Sequence, residues 1–182
     1  MGAVREHRPV MLMAAVFSRN PEAFDWFEQR VVTQWGSITH RGERMPFDQT
    51  QFYEQQMGCD LQKQLYAFQP LIDPQSLAQY KLQSNQWEEE FAGSGDWGSE
   101  RPLNIDPGYV SEAKLVLATT KDRDHRLYLG QGIFGEVTLF YRQGEWQSRP
   151  WTYPDYQQPE YHSFLDTCRQ DLRERYREEF RS

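Results

Sequence analysis

The sequence is poor in cysteine and has no long apolar run, and both features limit the kind of protein it encodes. Its 182 residues contain two cysteines, Cys59 and Cys168, and neither lies in a C-x-x-C or Cys/His spacing. Two isolated thiols favour a reduced cytoplasmic protein over a disulfide-stabilised secreted protein or a structural zinc site. No segment has the length and hydrophobicity of a membrane span. We therefore expect a cytoplasmic location and no membrane partner.

Acidic residues outnumber basic ones, and this charge balance argues against binding to nucleic acids. The formal net charge at pH 7 is −7, and the isoelectric point is near 5.1. Nucleic-acid surfaces usually carry a basic stripe, whereas the basic residues at positions 169–181 are mixed with acidic ones. An aromatic RNP signature, which would indicate RNA binding through a sheet, is missing. We expect no nucleic-acid partner.

Several nucleotide-binding and catalytic motifs are absent as well. None of the four lysines follows a glycine, so the sequence has no P-loop. The guanine-reading Asn-Lys-x-Asp motif is missing, because Thr119-Thr120-Lys121-Asp122 places the acid one residue too early. The sequence also has no Rossmann fingerprint, no H-E-x-x-H and no G-x-S-x-G. These absences exclude the enzyme classes that depend on the motifs.

The apolar patterns that are present predict an α+β fold. Pro9–Phe17 is a continuous apolar run, typical of a central strand buried on both faces. Helix starts of the cap-then-Pro type occur at Asn20-Pro21 and at Asp73-Pro74. The resulting order is strand, helix, strand, strand, helix, strand. It predicts a ferredoxin-like βαββαβ core, an antiparallel sheet with two helices on one face.

The length of the chain predicts a single domain over residues 1–182. The core would occupy about residues 9–120, and a C-terminal β-hairpin at 126–146 would extend it. Three prolines among aromatic residues predict an irregular aromatic strap at 150–159. A closing amphipathic helix is expected at 161–180.

The segment Thr119–His125 combines hydroxyl, ammonium, carboxyl and imidazole groups at the end of a predicted strand. Strand ends are where a rigid sheet presents side chains to ligands. On a functional interpretation, Thr119 and Lys121 bind a ligand, and Asp122 and His125 are catalytic candidates. On a structural interpretation, the segment is a charged β-turn that an aspartate holds through local hydrogen bonds. The sequence leaves both open.

The segment Asn104–Tyr109, NIDPGY, places Asp106 before a predicted Pro-Gly turn. An aspartate at this position either fixes the turn through backbone amides or acts as a rigidly held base, with Tyr109 beside it as a binding residue. We therefore count Asp106 among the catalytic candidates. We predict no metal site, and the alternative is that Asp106, Asp122 and His125 converge on one cation.

Lysine is rare enough for its positions to be informative. The chain has sixteen arginines and four lysines, and Lys81, Lys114 and Lys121 lie in segments rich in polar residues. Because burial lowers the pKa of a lysine readily, these three are candidate ligand-binding residues. The alternative is that chance and genomic base composition account for their positions. Asn85 lies one helical turn after Lys81 and is a further candidate ligand-binding residue. In the strap, Tyr153 either stacks on a flat ligand or packs at the edge of the core.

These segments resemble a bacterial family, domain-of-unknown-function family 4416. The shared motifs are NIDPGYV, KLVLATTKD-x-x-H-x-x-YLG-x-GI-x-x-EVTL, PWTYPDY, PFD-x-T-x-x-Y-x-x-x-MG at Pro46–Gly58 and K-x-x-SN around Lys81–Asn85. The resemblance runs from about Val10 to about Tyr161. It implies a functional role for Lys121, Asp122 and His125. Members are sometimes labelled GTP-binding, a label that the motifs of this sequence do not support.

Taken together, the polar segments predict a pocket at the sheet end, formed by the second helix, the Asp106–Tyr109 segment and the strand that ends at Thr119–His125. We expect it to bind a small anionic or phosphate-bearing metabolite, with nucleotides among the candidates. Whether a reaction follows, and with which cofactor, stays open at this stage. The alternative is a non-enzymatic protein-interaction or homodimerisation module, so that the chain is a monomer or a homodimer.

Overall fold

The computed structural model describes residues 2–4, 6–48 and 54–179. Within these ranges nine strands form one sheet, and four α-helices accompany it. The strands are β1 (Val10–Ser18), β2 (Ile38–Arg41), β3 (Met45–Pro46), β4 (Gln62–Ile72), β5 (Asn104–Val110), β6 (Lys114–Thr119), β7 (Leu127–Gly130), β8 (Ile133–Arg142) and β9 (Glu145–Ser148). The helices are α1 (Pro21–Gln34), α2 (Glu54–Met57), α3 (Leu77–Ala92) and α4 (Pro159–Glu179). Residues 49–53 of the PFD-x-T motif lie outside the described ranges.

The sheet has the strand order β2-β4-β1-β5-β6-β8-β7, with β3 also paired to β4 and β9 also paired to β8. All of these pairs are antiparallel. Strand β1 lies in the interior of the sheet, and each of its residues is buried. Its uninterrupted apolar sequence is what a strand covered on both faces requires.

Alternate residues of β1 belong to two different hydrophobic cores, because successive side chains of a strand point to opposite faces. One core joins Val10, Leu12, Ala14 and Val16 to Phe24, Phe27 and Val31 of α1 and to Trp87 and Phe91 of α3. The other joins Met11, Met13 and Ala15 to Phe164, Leu165, Cys168 and Leu172 of α4. The fold therefore has three layers, with α1 and α3 on one face of the sheet and α4 on the other.

The α+β class with a large antiparallel sheet is confirmed. The C-terminal extension is larger than the predicted hairpin, since β7, β8 and β9 join the same sheet through β6. The ferredoxin-like assignment of the core stays a prediction. In the part of the chain described here, no helix combines the length and apolar character that crossing a membrane demands.

The predicted turn after Asp106 is wrong, because Pro107 and Gly108 lie inside strand β5. Pairing between β5 and β6 begins only at Gly108, after the proline that has no N–H to donate. A Cβ atom on Gly108 would lie 2.4 Å from the carbonyl oxygen of Val116. The Pro-Gly pair thus permits a close strand contact rather than a reversal of the chain.

Candidate functional site

A gap between β5 and β6 forms a small cavity at one end of the sheet. The two strands pair at Gly108–Val110 and Leu115–Leu117 and nowhere else among the described residues. Continuing this register would place Asp106 opposite Thr119 and Asn104 opposite Lys121, but these pairs are not formed. All four residues line instead a cavity of about 110 Å³. Its other lining residues are Lys81, Arg101, Leu117, Ala118, Thr120, Arg126, Glu136 and Tyr153.

Helix α3 supplies the buried cation of this cavity. Lys81 Nζ donates to the carbonyl oxygen of Ile105 at 2.9 Å and to Asp106 Oδ1 at 3.2 Å. The second carboxylate oxygen of Asp106 accepts from Asn104 Nδ2 at 2.9 Å. Burial alone would raise the pKa of Asp106, but the charges of Lys81, Lys63 and Arg101 outweigh it and hold that pKa below its ordinary value. Asp106 is therefore an ionised, fixed acceptor rather than a base with an elevated pKa.

Glu88, two helical turns after Lys81, positions the start of β5 and the rim of the cavity. Its Oε1 accepts from the backbone N–H of Ile105 at 2.8 Å, and its Oε2 accepts from Arg101 at 2.9 Å. Arg101 also donates to Asn104 Oδ1. Burial raises the pKa of Glu88, and the charges of Lys81 and Arg101 oppose that rise. These contacts explain how a loop arginine is held beside the cavity.

Strand β8 supplies the opposite wall through Glu136, whose side chain is 3% exposed. Arg126 Nε donates to Glu136 Oε2 at 2.7 Å, and Arg126 also donates to the carbonyl oxygen of Lys121 at 2.8 Å. His125 Nε2 lies 3.3 Å from the same Glu136 oxygen. The His125 ring stacks on Trp151 with centroids 4.8 Å apart. The loop after β6 is thereby tied to the sheet and the strap.

Positive charge accumulates at the mouth of the cavity. Lys121 is exposed there. Its pKa is lowered first by partial burial and then by the charges of Arg101, Arg126 and Arg123, while Asp106 raises it. The charges of three guanidinium groups thus disfavour the protonated form of Lys121. A negatively charged group at the mouth would offset these charges.

A wider groove of about 490 Å³ adjoins the cavity and shares Lys81, Arg101 and Thr120 with it. The remaining lining residues are Gln56, Asn85, Glu88, Glu89, Ala92 and Glu100. The shared residues place the two concavities side by side, and the groove has more acidic lining residues than the cavity.

The structure brings together most, but not all, of the residues singled out from the sequence. Lys81, Asp106, Thr119, Lys121 and Tyr153 line the cavity, and Asn85 lines the adjoining groove. His125 does not line the cavity, but it contacts the Glu136 wall. Tyr109, Lys114 and Asp122 are not among the lining residues of either concavity.

Each of the three outliers has its own environment. Tyr109 packs against the apolar clusters beneath α1 and α3, and its burial raises the pKa of its hydroxyl. Lys114 is half-buried at the first position of β6, and Asp122 is exposed in the loop after β6. Asp106, Asp122 and His125 do not converge: within the described ranges no group of three or more His, Cys, Asp or Glu residues could hold a metal ion.

A buried ion pair that was not predicted from the sequence lies near the cavity. Lys63 Nζ of β4 lies 2.5 Å from Asp155 Oδ2 of the strap, and each side chain is 4% exposed. Four aromatic rings surround the ammonium, with centroids 4.5–5.9 Å away: Phe17, Phe47, Tyr156 and Tyr161. Lys63 is the fourth lysine of the chain and the one that was not singled out. Its neighbours Gln62 and Gln64 are polar as well, so the local sequence gave no signal that it is buried.

Arg101, Arg126 and Glu136 were also missed as site residues. The two arginines gave no local signal, because arginine is common in this chain. Glu136 did give one, since it is an acid in the middle of the apolar run of β8 and is buried there. Buried acids are almost always paired, so the position implied a cationic partner.

Comparison with known proteins gives one match. The model of the family described as "Domain of unknown function (DUF4416)" matches residues 8–172, which include the whole cavity and the groove beside it. No curated protein and no solved structure matches the chain. The match agrees with the resemblance seen in the NIDPGYV, ATTKD and PWTYPDY segments. The chain therefore belongs to the DUF4416 family.

Proposed function

We propose that this protein binds a small anionic, phosphate-bearing metabolite in the cavity between β5 and β6. The strongest support is the charge of the described lining residues. Four cationic side chains, those of Lys81, Arg101, Lys121 and Arg126, face a cavity with two carboxylates, Asp106 and Glu136. Charge-assisted hydrogen bonds from lysine and arginine are the usual way in which proteins hold phosphate and carboxylate groups.

Both cavity carboxylates already have cationic partners inside the protein. Asp106 accepts from Lys81, and Glu136 accepts from Arg126. The mouth around Lys121 is basic, since the charges of Arg101 and Arg126 add to the effect of burial in lowering the pKa of Lys121. An anion at the mouth would contact Lys121 and Arg101.

The dimensions of the site favour a ligand with two parts. The cavity of about 110 Å³ is smaller than the roughly 300–1,000 Å³ typical of metabolite sites, so it accommodates a single anionic group. The adjoining groove of about 490 Å³ falls within that range. The phosphate would occupy the cavity, and the rest of the metabolite, a nucleoside among the candidates, would lie in the groove.

The geometry supports binding better than catalysis. Asp106 is held by Lys81 and Asn104, and Asp122 is exposed outside the cavity. His125 is stacked on Trp151 and has its Nε2 directed at Glu136. The three catalytic candidates therefore do not surround one reacting atom, as general acid–base catalysis requires.

Titration calorimetry with inorganic phosphate, pyrophosphate and a panel of nucleotides tests the proposal. The wild type should bind at least one of these ligands, and Lys121→Gln should bind it about tenfold or more weakly, the effect of losing about 1.4 kcal/mol. Lys114→Gln removes the same charge from a lysine outside the site and serves as the matched control. If no ligand of the panel binds, or if both variants bind like the wild type, the proposal is wrong.

A second candidate function, homodimerisation, is supported by strand β7 at the end of the sheet. Leu127, Tyr128 and Leu129 of this strand are 76%, 63% and 40% exposed. An apolar edge strand without charged or proline residues is a ready site for pairing with another strand. Sedimentation at several protein concentrations should then show a dimer that Leu127→Lys abolishes. A wild type that stays monomeric at all concentrations would contradict it.

We also propose that β1-α1-β2 and β4-α3-β5 form a ferredoxin-like core to which β6–β9 are added. Its support is the interleaving of the two helix-connected units, since β1 lies between β4 and β5, and β4 lies between β2 and β1. A crystal structure with a different order of these four strands would refute the assignment.

A cytoplasmic location is likewise a proposal. Cys59 is exposed and Cys168 is buried, and both are free thiols, as expected in a reducing compartment. Fractionation of cells that express the protein tests it, because recovery outside the cytoplasmic fraction would contradict a cytoplasmic location.

A further inference from the structure

A third concavity lies on the face of the sheet that α4 covers, between the β2–β3 edge and the start of this helix. Residues 39–45 form one of its walls, and residues 159–167 form the other. Its volume of about 580 Å³ lies within the roughly 300–1,000 Å³ typical of metabolite sites. It shares no lining residue with the proposed anion site or the groove beside it. We call it the α4 cavity.

The floor of the α4 cavity is apolar, because it is the margin of a hydrophobic core. Leu65 of β4 and Tyr161 and Phe164 of α4 are buried members of the core between α4 and the sheet, and Met45 of β3 packs against that core. The Gly42 N–H donates to the carbonyl oxygen of Leu65 at 2.8 Å. A Cβ at position 42 would lie 3.4 Å from both Leu65 Cβ and Phe164 Cδ2. The hydrocarbon part of a ligand would find packing partners on this floor.

Each wall of the α4 cavity contributes a carboxylate. Glu43 lies in the connection between β2 and β3, and Glu160 lies in the first turn of α4. Both are exposed, and neither makes a hydrogen bond or ion pair to any residue in the described part of the chain. Burial and then the charges of Asp155 and Glu160 raise the pKa of Tyr161. The negative charge of Glu160 thus acts on the floor of the cavity as well as on its wall.

The two arginines next to Glu43 in the sequence reach across the sheet edge and leave these carboxylates uncompensated. Arg41 donates to Glu28 of α1 through Nε at 3.3 Å and Nη2 at 2.9 Å. The Arg44 guanidinium lies 4.0 Å from the ring centroid of Phe24, also on α1. Because α1 packs on the opposite face of the sheet, neither guanidinium is available to a group in the α4 cavity.

The remaining basic groups at the α4 cavity are engaged too. His40 Nε2 lies 2.6 Å from Asp171 Oδ2, and Asp171 also accepts from Arg175 at 2.6 and 2.9 Å. The N-terminus of α4 favours a negative charge, and Glu160 in the first turn already supplies it. The charge that is left for a ligand is therefore that of Glu43 and Glu160, and it complements a cation.

We propose that the α4 cavity binds a small organic amine, whose ammonium group pairs with Glu43 and Glu160 and whose hydrocarbon part packs on Leu65, Met45 and Phe164. An ammonium group has three donors and forms charge-assisted hydrogen bonds with carboxylates. The exposed part of an aromatic ring on the floor would add a cation–π contact. This inference is independent of the proposed anion site, because the two sites share no residue.

The test is a calorimetric titration with three compounds of similar shape and different charge: phenethylamine, phenethyl alcohol and phenylpropionate. The wild type should bind the amine, bind the alcohol about tenfold or more weakly, and show no binding of the carboxylate. The double variant Glu43→Gln/Glu160→Gln should lose the preference for the amine and keep the affinity for the alcohol. Glu178→Gln/Glu179→Gln removes two exposed charges from α4 outside the cavity and should bind like the wild type.

A substitution that fills the α4 cavity locates the binding. Thr167 is exposed and lines the cavity, so Thr167→Trp should abolish amine binding and leave the melting temperature within a few degrees of the wild type. If this variant does not fold, Thr39→Trp on the other wall takes its place. Lys121→Gln, which should weaken binding at the anion site, should bind the amine like the wild type.

Several results would overturn the inference. One is that the wild type binds none of the compounds, and another is that it binds amine and alcohol equally. Amine binding that survives in the double glutamine variant or in Thr167→Trp would place the amine elsewhere on the protein. A wild type that binds no amine but forms a dimer sensitive to Thr167→Trp would show that a second copy of the chain covers the cavity instead.

Discussion

At the scale of single residues, the site is built from buried charges that are paired across long stretches of chain. Lys63 pairs with Asp155, and Lys81 pairs with Asp106. A buried charge is tolerated only when a partner replaces part of its lost hydration, so these pairs constrain the positions of the elements that carry them. They tie the strap to β4 and helix α3 to β5.

The Asp106 carboxylate should make stability depend on acid pH. Its pKa in the folded protein lies below the ordinary value of 3.8. A carboxyl group whose pKa is depressed by folding contributes stability that is complete above its pKa in the unfolded chain. This stability is lost as the pH falls through its pKa in the folded protein. Asp106→Asn should therefore lower the free energy of unfolding at pH 7, by about 1–3 kcal/mol. The difference from the wild type should shrink below pH 3.8.

Urea unfolding at a series of pH values measures this difference. Asp122→Asn removes the same charge from an exposed aspartate and controls for net charge alone. A wild-type-to-variant difference that stays constant down to the lowest pH would show that Lys81 and its neighbours do not stabilise the ionised form of Asp106.

The Lys63–Asp155 pair should show strong coupling in a double-mutant cycle. Lys63→Met or Asp155→Leu alone leaves a buried charge without its partner and should cost about 3–5 kcal/mol of unfolding free energy. The double variant should recover most of this loss, because no charge remains buried. Chemical denaturation of the four proteins measures the coupling.

The partly exposed pair of Arg41 and Glu28, with side chains 51% and 29% exposed, provides a control for this cycle. Glu28→Gln should change stability by less than about 1 kcal/mol. Additive effects at Lys63 and Asp155 would mean that the two buried charges do not compensate each other.

At the scale of secondary structure, the site exists because two neighbouring strands stop pairing. Strands β5 and β6 are in register from Gly108 to Val110 and separate towards the other end of β5. Strand β6 meanwhile stays paired with β8 as far as Thr119. The separation exposes side chains of both strands to one cavity, at a place where an intact ladder would leave no space.

Gly108 should be the residue on which the closest approach of β5 and β6 depends. A Cβ at this position would lie 2.4 Å from Val116 O and 2.7 Å from Leu117 Cδ2. Because the first of these atoms belongs to the backbone, the strands themselves would have to move. Gly108→Ala should cost about 1–3 kcal/mol of unfolding free energy, as overpacking does. Urea denaturation measures the cost.

The control for this substitution is Gly93→Ala at the end of α3. A Cβ there meets its nearest atom, Glu89 O, at an ordinary 3.5 Å. Stability should change by no more than about 0.5 kcal/mol. Equal effects of the two substitutions would show that β5 and β6 can accommodate a Cβ atom at position 108 without strain.

At the scale of the whole molecule, helix α4 covers the sheet face opposite α1 and α3. Its residues Phe164, Leu165, Cys168 and Leu172 form one core with Met11, Met13 and Ala15 of the central strand. Tyr176 near the end of the helix donates to the carbonyl oxygen of Pro9. The helix therefore joins the last part of the described chain to its first strand, and detaching it would expose the core on this face of the sheet.

Cys168 should report whether α4 opens independently of the sheet. Burial, assisted by Asp171, raises the pKa of the Cys168 thiol well above its usual value, so the reactive thiolate is scarce. Cys59 is exposed. A thiol reagent should modify Cys59 quickly and Cys168 only through opening of the fold. The slow rate should give a free energy of opening close to that of global unfolding.

Cys59→Ser removes the fast phase and isolates the reaction of Cys168. Urea unfolding of the same variant supplies the global free energy for comparison. Rapid modification of Cys168 in the folded variant would contradict cooperative unfolding and would show that α4 detaches separately.

Local patterns were sufficient for the elements but not for their contacts. Asn20-Pro21 correctly marked the start of α1, and the apolar run before it correctly marked a buried central strand. Such signals lie within a few residues of what they predict. The Pro-Gly pair after Asp106 predicted a turn, and this was wrong. Whether such a pair forms a turn or allows two strands to approach closely depends on the neighbouring strand, which a local pattern does not include.

The sequence by itself determined the α+β class, the buried central strand, the helix starts and the family. It also indicated that polar groups gather where β6 ends. Only the tertiary structure decided which of these groups meet. Lys63 and Asp155 are 92 positions apart, and Lys81 and Asp106 are 25 apart. Such distances are closed by strand register and helix packing, and these depend on the free energy of the whole fold rather than on any local pattern.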